Sequence, residues 1–157
     1  MPFHIIAVGQ KMPAWVTLAY TEYAKRMPHE FRLMLHEIRP ELRTQRKSIE
    51  QIKEAEATRI EMALPSTSQL LVLDEYGKDM TTVALAKLIT QMQEQGQPIA
   101  FVIGGADGLH ERIKSKGKLL RLSSMTLPHG LVRVLVAEQL YRAWSILSNH
   151  PYHRTGS

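Results

Sequence analysis

The sequence of 157 residues contains no cysteine, which excludes disulfide bonds, thiolate zinc sites and cysteine nucleophiles. It also lacks a long hydrophobic run, because the most apolar stretch, near the C-terminus, is interrupted by Arg133, Glu138 and Arg142. The N-terminal sequence MPFHIIAVGQ has a short apolar run without a basic region before it, so we expect no secretory signal peptide. These absences favour a cytoplasmic protein without a membrane-spanning segment.

Several common motifs of binding and catalysis are also missing. The sequence has no G-x-x-x-x-G-K-[ST] phosphate loop, and Ala106 interrupts the only glycine-rich stretch, GGADG, so that it does not match G-x-G-x-x-G. No G-x-S-x-G nucleophile motif is present. The seven histidines form neither H-x-H nor H-E-x-x-H, and we therefore expect no metal site.

What the sequence does contain is a regular alternation of apolar strands with helices. Continuous apolar strands separated by helices are typical of a parallel sheet that is covered on both faces. No repeat or linker divides the chain, so we predict a single α/β domain over residues 1–157. The pattern predicts strands at 3–9, 31–39 (half-exposed, at a sheet edge), 69–74, 98–105 and 118–124, and helices at 13–27, 48–63, 81–95, 109–115 and 129–148.

Three predicted strands end in distinctive loops, LDEYGK (73–78), IGGADG (103–108) and SSMTLPH (123–129). Ligands of open α/β sheets bind at the carboxyl ends of the strands, and these loops therefore predict one shared pocket. Small residues, backbone groups and apolar side chains suit a neutral adenine-and-ribose ligand better than a triphosphate. The carboxylates of Asp74, Glu75 and Asp107 at the same rim would repel phosphates and tolerate a cation.

The C-terminal third of the chain is both basic and unusually apolar. Residues 112–157 carry a net charge of +7, which leaves −2 on residues 1–111, and such asymmetry is typical of a surface that binds a polyanion. The helix at 129–148 is apolar around most of its circumference, which indicates burial on several sides. A second copy of the chain would cover one side in a homodimer; the alternative is a central helix within one protomer.

The C-terminal block SSMTLPHGLVRVLVAEQLYRAWSILSNHPYHR, together with HIIAVG, LLVLDEYGK and FVIGGADG, resembles one known family. The resemblance is to the RlmH family of SPOUT-class methyltransferases, which modify a pseudouridine of large-subunit (23S) ribosomal RNA, and it covers essentially the whole chain. The sequence departs from the family pattern in Thr155, Gly156 and Ser157, which follow the usual terminal arginine.

The resemblance implies an α/β fold whose C-terminal region, about residues 100–157, is tied into a trefoil knot and forms a homodimer. It also implies transfer of a methyl group from S-adenosylmethionine, without a metal, to N3 of a pseudouridine on assembled ribosomes. The implied donor-binding residues lie at the three strand ends singled out above: Leu73, Gly104, Ser123, Ser124, Met125, Thr126, Leu127 and Pro128.

The resemblance further implies that the tail NHPYHR completes the donor pocket of a partner protomer. Tyr152 would contact the target base, Arg142 and Arg154 would hold phosphate or an anionic base, and His153 would accept a proton or contact RNA. Alternatively, the tail only caps the last helix. Two other functions stay open: a non-catalytic module that binds RNA or the ribosome, and a methyltransferase of the same fold that acts on tRNA.

Overall fold

The computed structural model describes residues 1–154, so the three residues that depart from the family pattern, Thr155 to Ser157, lie outside the described part. It contains five strands and five α-helices. These are β1 (Phe3–Val8), α1 (Ala14–Ala24), β2 (Leu33–Ile38), α2 (Ile49–Ala63), β3 (Gln69–Asp79), α3 (Thr82–Glu94), β4 (Ile99–Ile103), α4 (Glu111–Lys114), β5 (Gly117–Arg121) and α5 (His129–Leu147), with a 3-10 turn at His29–Phe31.

The strands form one parallel sheet in the order β2-β1-β4-β3-β5. The predicted α/β class and the edge position of β2 are therefore confirmed. Apolar side chains on the two faces of the sheet form two cores, one beneath α1, α3 and α5 and the other beneath α2 and α4. The N-terminus of α2 carries the predicted capping box, in which Ser48 and Gln51 bond each other's backbone N–H groups.

The prediction for β3 was too short, because the strand continues to Asp79 rather than ending at residue 74. Leu120 of β5 pairs first with Leu73 and then with Lys78, so the intervening residues bulge out of the sheet. Gly77 permits this arrangement, since a Cβ atom there would lie 2.7 Å from the backbone of Leu120. Sequence periodicity cannot show a strand that leaves its partner and then returns to it.

Helix α5 packs against both α1 and α3 and over β4. These contacts within one chain account for much of the apolar surface from which we expected a second protomer. Apolar side chains are nevertheless left exposed beside it, including Trp15 and Leu18 on α1 and Leu147 at the end of α5. Among residues 1–154, no helix is long and apolar enough to span a membrane.

Candidate functional site

A cleft of about 550 Å³ lies where β3, β4 and β5 end. The structure brings together here the three loops that follow these strands, and the first turn of α5 closes one side through His129 and Val132. The volume falls within the range of roughly 300–1,000 Å³ that is usual for small-molecule sites. The cleft is therefore large enough for a nucleoside-sized ligand.

Six of the eight residues expected to bind a methyl donor line this cleft. They come from all three loops: Leu73, Gly104, Ser123, Met125, Thr126 and Leu127. The other two, Ser124 and Pro128, are exposed and do not line it. Pro128 instead precedes α5 as its N-cap residue.

The glycines after β4 are required by close packing at the cleft floor. A Cβ atom on Gly104 would lie 2.7 Å from Cγ of Leu109, and one on Gly105 would lie 3.0 Å from Cγ1 of Val8. Gly108 has a φ of +80°, a conformation that side-chain-bearing residues rarely adopt. The GGADG stretch is thus a tight turn that brings backbone groups to the cleft, consistent with the absence of a phosphate-loop pattern.

The acidic rim expected from the sequence is largely neutralised. Asp74 Oδ1 lies 3.2 Å from Nζ of Lys114, and Asp107 Oδ1 lies 2.6 Å from Nη2 of Arg43. Both carboxylates are at least five-sixths buried, while Glu75 is exposed. Basic residues distant in sequence thus reduce the negative charge of the rim, and the expected repulsion of phosphates stays a prediction that rests mainly on Glu75.

The basic C-terminal segment is likewise paired in three dimensions. Arg112 and Lys116 both contact Glu61, and Arg121 donates two hydrogen bonds to Asp79. The carboxylates come from residues 1–111, the acidic part of the chain. The net charge of +7 along residues 112–157 therefore does not translate into an equally basic face, and charge counting overstated the polyanion-binding surface.

His129 was not singled out from the sequence, yet its ring lines the cleft and its Nδ1 lies 2.9 Å from the carbonyl oxygen of Gly104. Burial lowers the pKa of His129, and the nearby Arg133 guanidinium lowers it further. The ring is consequently neutral at physiological pH. Its position at the end of the loop SSMTLPH (123–129), which was predicted to line the pocket, is the signal that indicates its place.

The C-terminal tail folds back on the last turns of α5 and forms a polar cluster there. Glu138 Oε1 accepts hydrogen bonds from Arg142 Nε at 2.8 Å and from the Tyr152 hydroxyl at 3.1 Å. The Arg142 guanidinium also lies 4.7 Å from the centre of the Tyr152 ring. Burial and the neighbouring Glu138 carboxylate raise the pKa of Tyr152 to about 12, so its hydroxyl remains a donor.

Three of the four residues expected at the reaction centre are therefore brought together: Arg142 of α5 and, from the tail, Tyr152 and His153. The fourth, Arg154, is exposed at the end of the described chain. Glu138, which organises the cluster, was missed, although it is the sole acid within residues 112–157.

The hydrogen bond between Arg142 and His153 fixes which ring nitrogen carries a proton. Arg142 Nη1 lies 3.2 Å from His153 Nδ1, and since a guanidinium can only donate, Nδ1 accepts. The neutral ring then carries its proton on Nε2, which is buried without a hydrogen-bond partner in the structure. In this arrangement Arg142 occupies the acceptor nitrogen of His153, so the ring is not available as a proton acceptor.

The tail cluster and the cleft lie at opposite ends of α5. Arg142 follows His129 by 13 residues, which corresponds to about 20 Å along the helix axis at ~1.5 Å per residue. No residue of the tail lines the cleft. Within residues 1–154, no group of three histidine, aspartate or glutamate side chains is placed to hold a metal ion.

Comparison with known proteins adds a family and a set of relatives. A family model described as "Predicted SPOUT methyltransferase" matches residues 1–153. The chain is 58% identical over 155 residues to a protein of Ralstonia pickettii (strain 12J) named "Ribosomal RNA large subunit methyltransferase H", and the match covers 98% of this chain and 99% of the relative. A Burkholderia thailandensis protein of the same name is 56% identical over the same shares of the two chains.

Solved structures support the fold at much lower identity. A methylase family protein from Neisseria gonorrhoeae superposes with a TM-score of 0.55 at 14% identity, covering 96% of this chain and 95% of that one. A structure described as "Structural insights into the 2-OH methylation of C/U34 on tRNA" superposes with a TM-score of 0.52 at 16% identity, covering 94% of this chain and 97% of the other. At these identities the likeness concerns the fold alone.

Proposed function

The chain belongs to the SPOUT methyltransferase family, and from this membership we propose that it methylates N3 of a pseudouridine in 23S ribosomal RNA, using S-adenosylmethionine, on assembled ribosomes in the cytoplasm. The observation that carries the proposal is identity of more than half over essentially full length to proteins named for the large ribosomal RNA. The cleft at the three strand ends supplies a site of suitable size for the donor.

The residues of the cleft fit the chemistry of this donor. Backbone groups of Gly104 and of the loop 123–127 would hold the adenine and ribose, and Leu73 and Leu127 would cover apolar parts of the molecule. His129 is neutral, and the rim residues Lys114 and Arg43 are paired with Asp74 and Asp107. These groups therefore place no unpaired positive charge beside the sulfonium. When bound, the donor supplies a methyl group on a positively charged sulfur, a good leaving group, so no metal is needed.

We propose that the target base is held by the tail of the partner protomer in a homodimer. The distance along α5 supports this arrangement, because the tail does not reach the cleft of its own chain. Arg142 would stabilise the anionic base formed when N3 releases its imide proton to solvent, and His153 Nδ1 would hold the Arg142 guanidinium in place. Tyr152 would stack on the base, and Arg154 would contact phosphate.

Catalysis in this proposal is mainly positioning. Holding a nucleophilic nitrogen in line with the methyl group can supply roughly 7–11 kcal/mol of the barrier reduction. Stabilising the deprotonated base by Arg142, which His153 orients, adds an electrostatic contribution in a partly water-excluded site.

We also propose that the chain around the cleft is knotted, with about residues 100–157 forming the knotted and dimer-forming part of a single domain. Membership of the SPOUT methyltransferase family supports this, and the loop after β5 and the first turn of α5 line one cleft together with the loops after β3 and β4. Tracing the chain in a crystal structure of the dimer tests both the knot and the interface.

The decisive experiment for the function is transfer of labelled methyl from S-adenosylmethionine in three parallel reactions. The substrates are ribosomes from cells that lack this protein, the same ribosomal RNA stripped of protein, and bulk tRNA. Label confined to ribosomes, recovered as N3-methylpseudouridine, supports the proposal. Label on tRNA keeps the enzyme class and changes the substrate. Binding to ribosomes without label from a folded dimer points to a non-catalytic binding module.

A further inference from the structure

A chain of hydrogen bonds runs from the cleft wall through the first turns of α5 to the edge of the sheet. It begins with the contact between His129 Nδ1 and the Gly104 carbonyl. Arg133 Nη2 lies 3.4 Å from His129 Nε2 and 3.3 Å from the carbonyl oxygen of Gly9. Arg133 Nη1 donates to Glu37 Oε2 at 2.6 Å. Glu37 lies on β2, away from the cleft lining.

The direction of these bonds follows from the chemistry of arginine. A guanidinium has no acceptor, so Nε2 of His129 must accept from Arg133. The neutral ring then carries its proton on Nδ1, which donates to the Gly104 carbonyl. Arg133 thereby selects the tautomer of His129 that can hold Gly104, in the way that an outer hydrogen bond orients a functional histidine.

Burying the Arg133 guanidinium costs free energy, and close packing alone does not explain why an arginine lies here. Its side chain is 2% exposed, and its Nε has no hydrogen-bond partner. The hydroxyl of Tyr20, also buried, lacks a partner too. Removing a charge from water costs several kcal/mol unless its partners compensate fully, and unsatisfied buried donors are rare. A leucine or methionine here would fill the space without that cost.

The contact between His129 and Gly104 joins two walls of the cleft. Gly104 directly follows β4, whereas His129 directly follows the loop 123–128. Of the described residues between Gly104 and His129 in sequence, none has a side chain that hydrogen-bonds to the Gly104 carbonyl. The width of the cleft between the two walls therefore depends on the orientation of the His129 ring.

We propose that Glu37 and Arg133 are positioning residues of the donor site, which hold His129 in the tautomer that fixes the Gly104 carbonyl and the spacing of the cleft walls. The inference rests on the proposed function in that the ligand is S-adenosylmethionine. Neither Glu37 nor Arg133 lines the cleft, so both act through His129 rather than by contact with the donor.

Two substitutions of His129 separate its two hydrogen bonds. His129→Asn places an amide N–H near the position of Nδ1 and keeps the donor to Gly104, whereas His129→Gln places polar atoms nearer Nε2 and loses it. Titration calorimetry with S-adenosylmethionine should show an affinity loss of about tenfold or more for His129→Gln and less than about threefold for His129→Asn. Equal losses in both variants would overturn the inference.

Glu37→Gln tests the end of the chain of hydrogen bonds that lies farthest from the cleft. The substitution preserves shape and removes the charge that orients Arg133, so we expect donor affinity to fall about threefold to tenfold. The matched control is Glu30→Gln, an exposed position outside the chain of hydrogen bonds, which should bind as wild type does. Unchanged affinity in Glu37→Gln, with thermal melting showing both variants folded, would contradict a role for Glu37.

The pH dependence of donor binding by the wild-type protein distinguishes positioning through His129 from a merely structural role, which would not change it. A protonated His129 cannot accept from Arg133, so donor affinity should decline as the pH falls below neutrality, and His129→Asn should remove that decline. The other charged or titratable groups that line the cleft are Asp74, Glu75, Tyr76, Asp107, Lys114 and Arg121. Those along the chain of hydrogen bonds are Arg133, Glu37 and Tyr20. The same decline in both proteins would assign it to these groups and overturn the role of His129.

Failure of this inference and failure of the proposed function give different results. Wild-type protein that is folded and does not bind S-adenosylmethionine contradicts the proposed function. The other result is that the wild-type protein binds the donor, all variants bind equally well, and donor affinity does not decline at acid pH. This result is compatible with the proposed function and contradicts the positioning role of Glu37 and Arg133. If His129→Gln does not fold, the pH dependence of donor binding by the wild-type protein and the donor affinity of Glu37→Gln still test the inference.

Discussion

The two ends of α5 differ in how far the groups around them are completed within one chain. At its N-terminal end, the cleft is lined by strand ends and loops of one chain, and its rim carboxylates are paired within that chain. At its C-terminal end, Glu138 gathers Arg142 and Tyr152, and His153 keeps an N–H without a partner. The donor half of the proposed site is therefore built within one chain, whereas the described residues of the reactive half do not line the cleft of that chain.

The largest effect should come from removing the reactive half alone. Truncation after Pro151 deletes Tyr152 and His153 and leaves the cleft untouched, so methyl transfer should fall by about 10²-fold or more, by analogy with the loss of a positioned catalytic group. Donor affinity should stay within about twofold of wild type, since no tail residue lines the cleft. Single-turnover transfer and calorimetry measure the two quantities.

The control for this truncation removes only Thr155 to Ser157 and should transfer methyl as the full chain does. A loss of donor affinity in the longer truncation would place the tail in the donor pocket and break the separation of the two ends.

A smaller effect should follow from disturbing the donor half through its glycines. In Gly77→Ala the new methyl group would meet the backbone of Leu120 at 2.7 Å, and overpacking of this kind costs about 1–3 kcal/mol of unfolding free energy. Because β5 leads into the loop 122–128, donor affinity should fall as well, while the tail cluster keeps its own contacts. Denaturant unfolding and calorimetry check both expectations.

Gly96→Ala is the matched control, since an added Cβ meets nothing within 4 Å there. Its positive φ of +72° makes the substitution cost about 1 kcal/mol, without an effect on donor binding. Equal donor-affinity losses in the two variants would show that stability, and not the position of β5, governs the cleft.

The smallest effect concerns the pH dependence of the tail cluster. The pKa of Tyr152 is raised to about 12 by burial and by Glu138, so its contribution to stability is complete below pH 10 and is lost as the pH rises from about 10 to 12. Because the group is partly exposed, solvent screens the interaction and we expect less than about 1 kcal/mol. The unfolding free energy of wild type should fall more over this range than that of Tyr152→Phe, and parallel curves would contradict the contact.

The sequence was sufficient for the parts of the molecule that depend on local pattern. The strand–helix alternation, the Ser48 capping box and the three loops at one end of the sheet all follow from residue types at fixed spacing. The parts that it did not show depend on pairing between distant residues. Examples are the return of β3 to Leu120 and the ion pairs of Asp107 with Arg43 and of Arg121 with Asp79.

The buried Arg133 illustrates the same limit at the site. In the sequence it was one of several charges interrupting an apolar helix, which excluded a membrane span. Its role depends on Glu37 and Gly9, which lie more than 90 residues earlier in the chain. Charge counted along a segment therefore describes composition, and only the three-dimensional partners decide whether a charge faces solvent, a ligand or another side chain.

The central claim is that the cleft of one protomer works with the tail of the other, and co-expression of two defective chains tests it most directly. One chain is truncated after Pro151; the other carries Thr126→Trp, an exposed cleft position at which a bulky ring should block the donor. Each is inactive alone. With random pairing, half of the dimers are mixed and contain one complete site, so transfer should recover to about a quarter of wild type. Mixed dimers that are isolated, folded and inactive would contradict the claim.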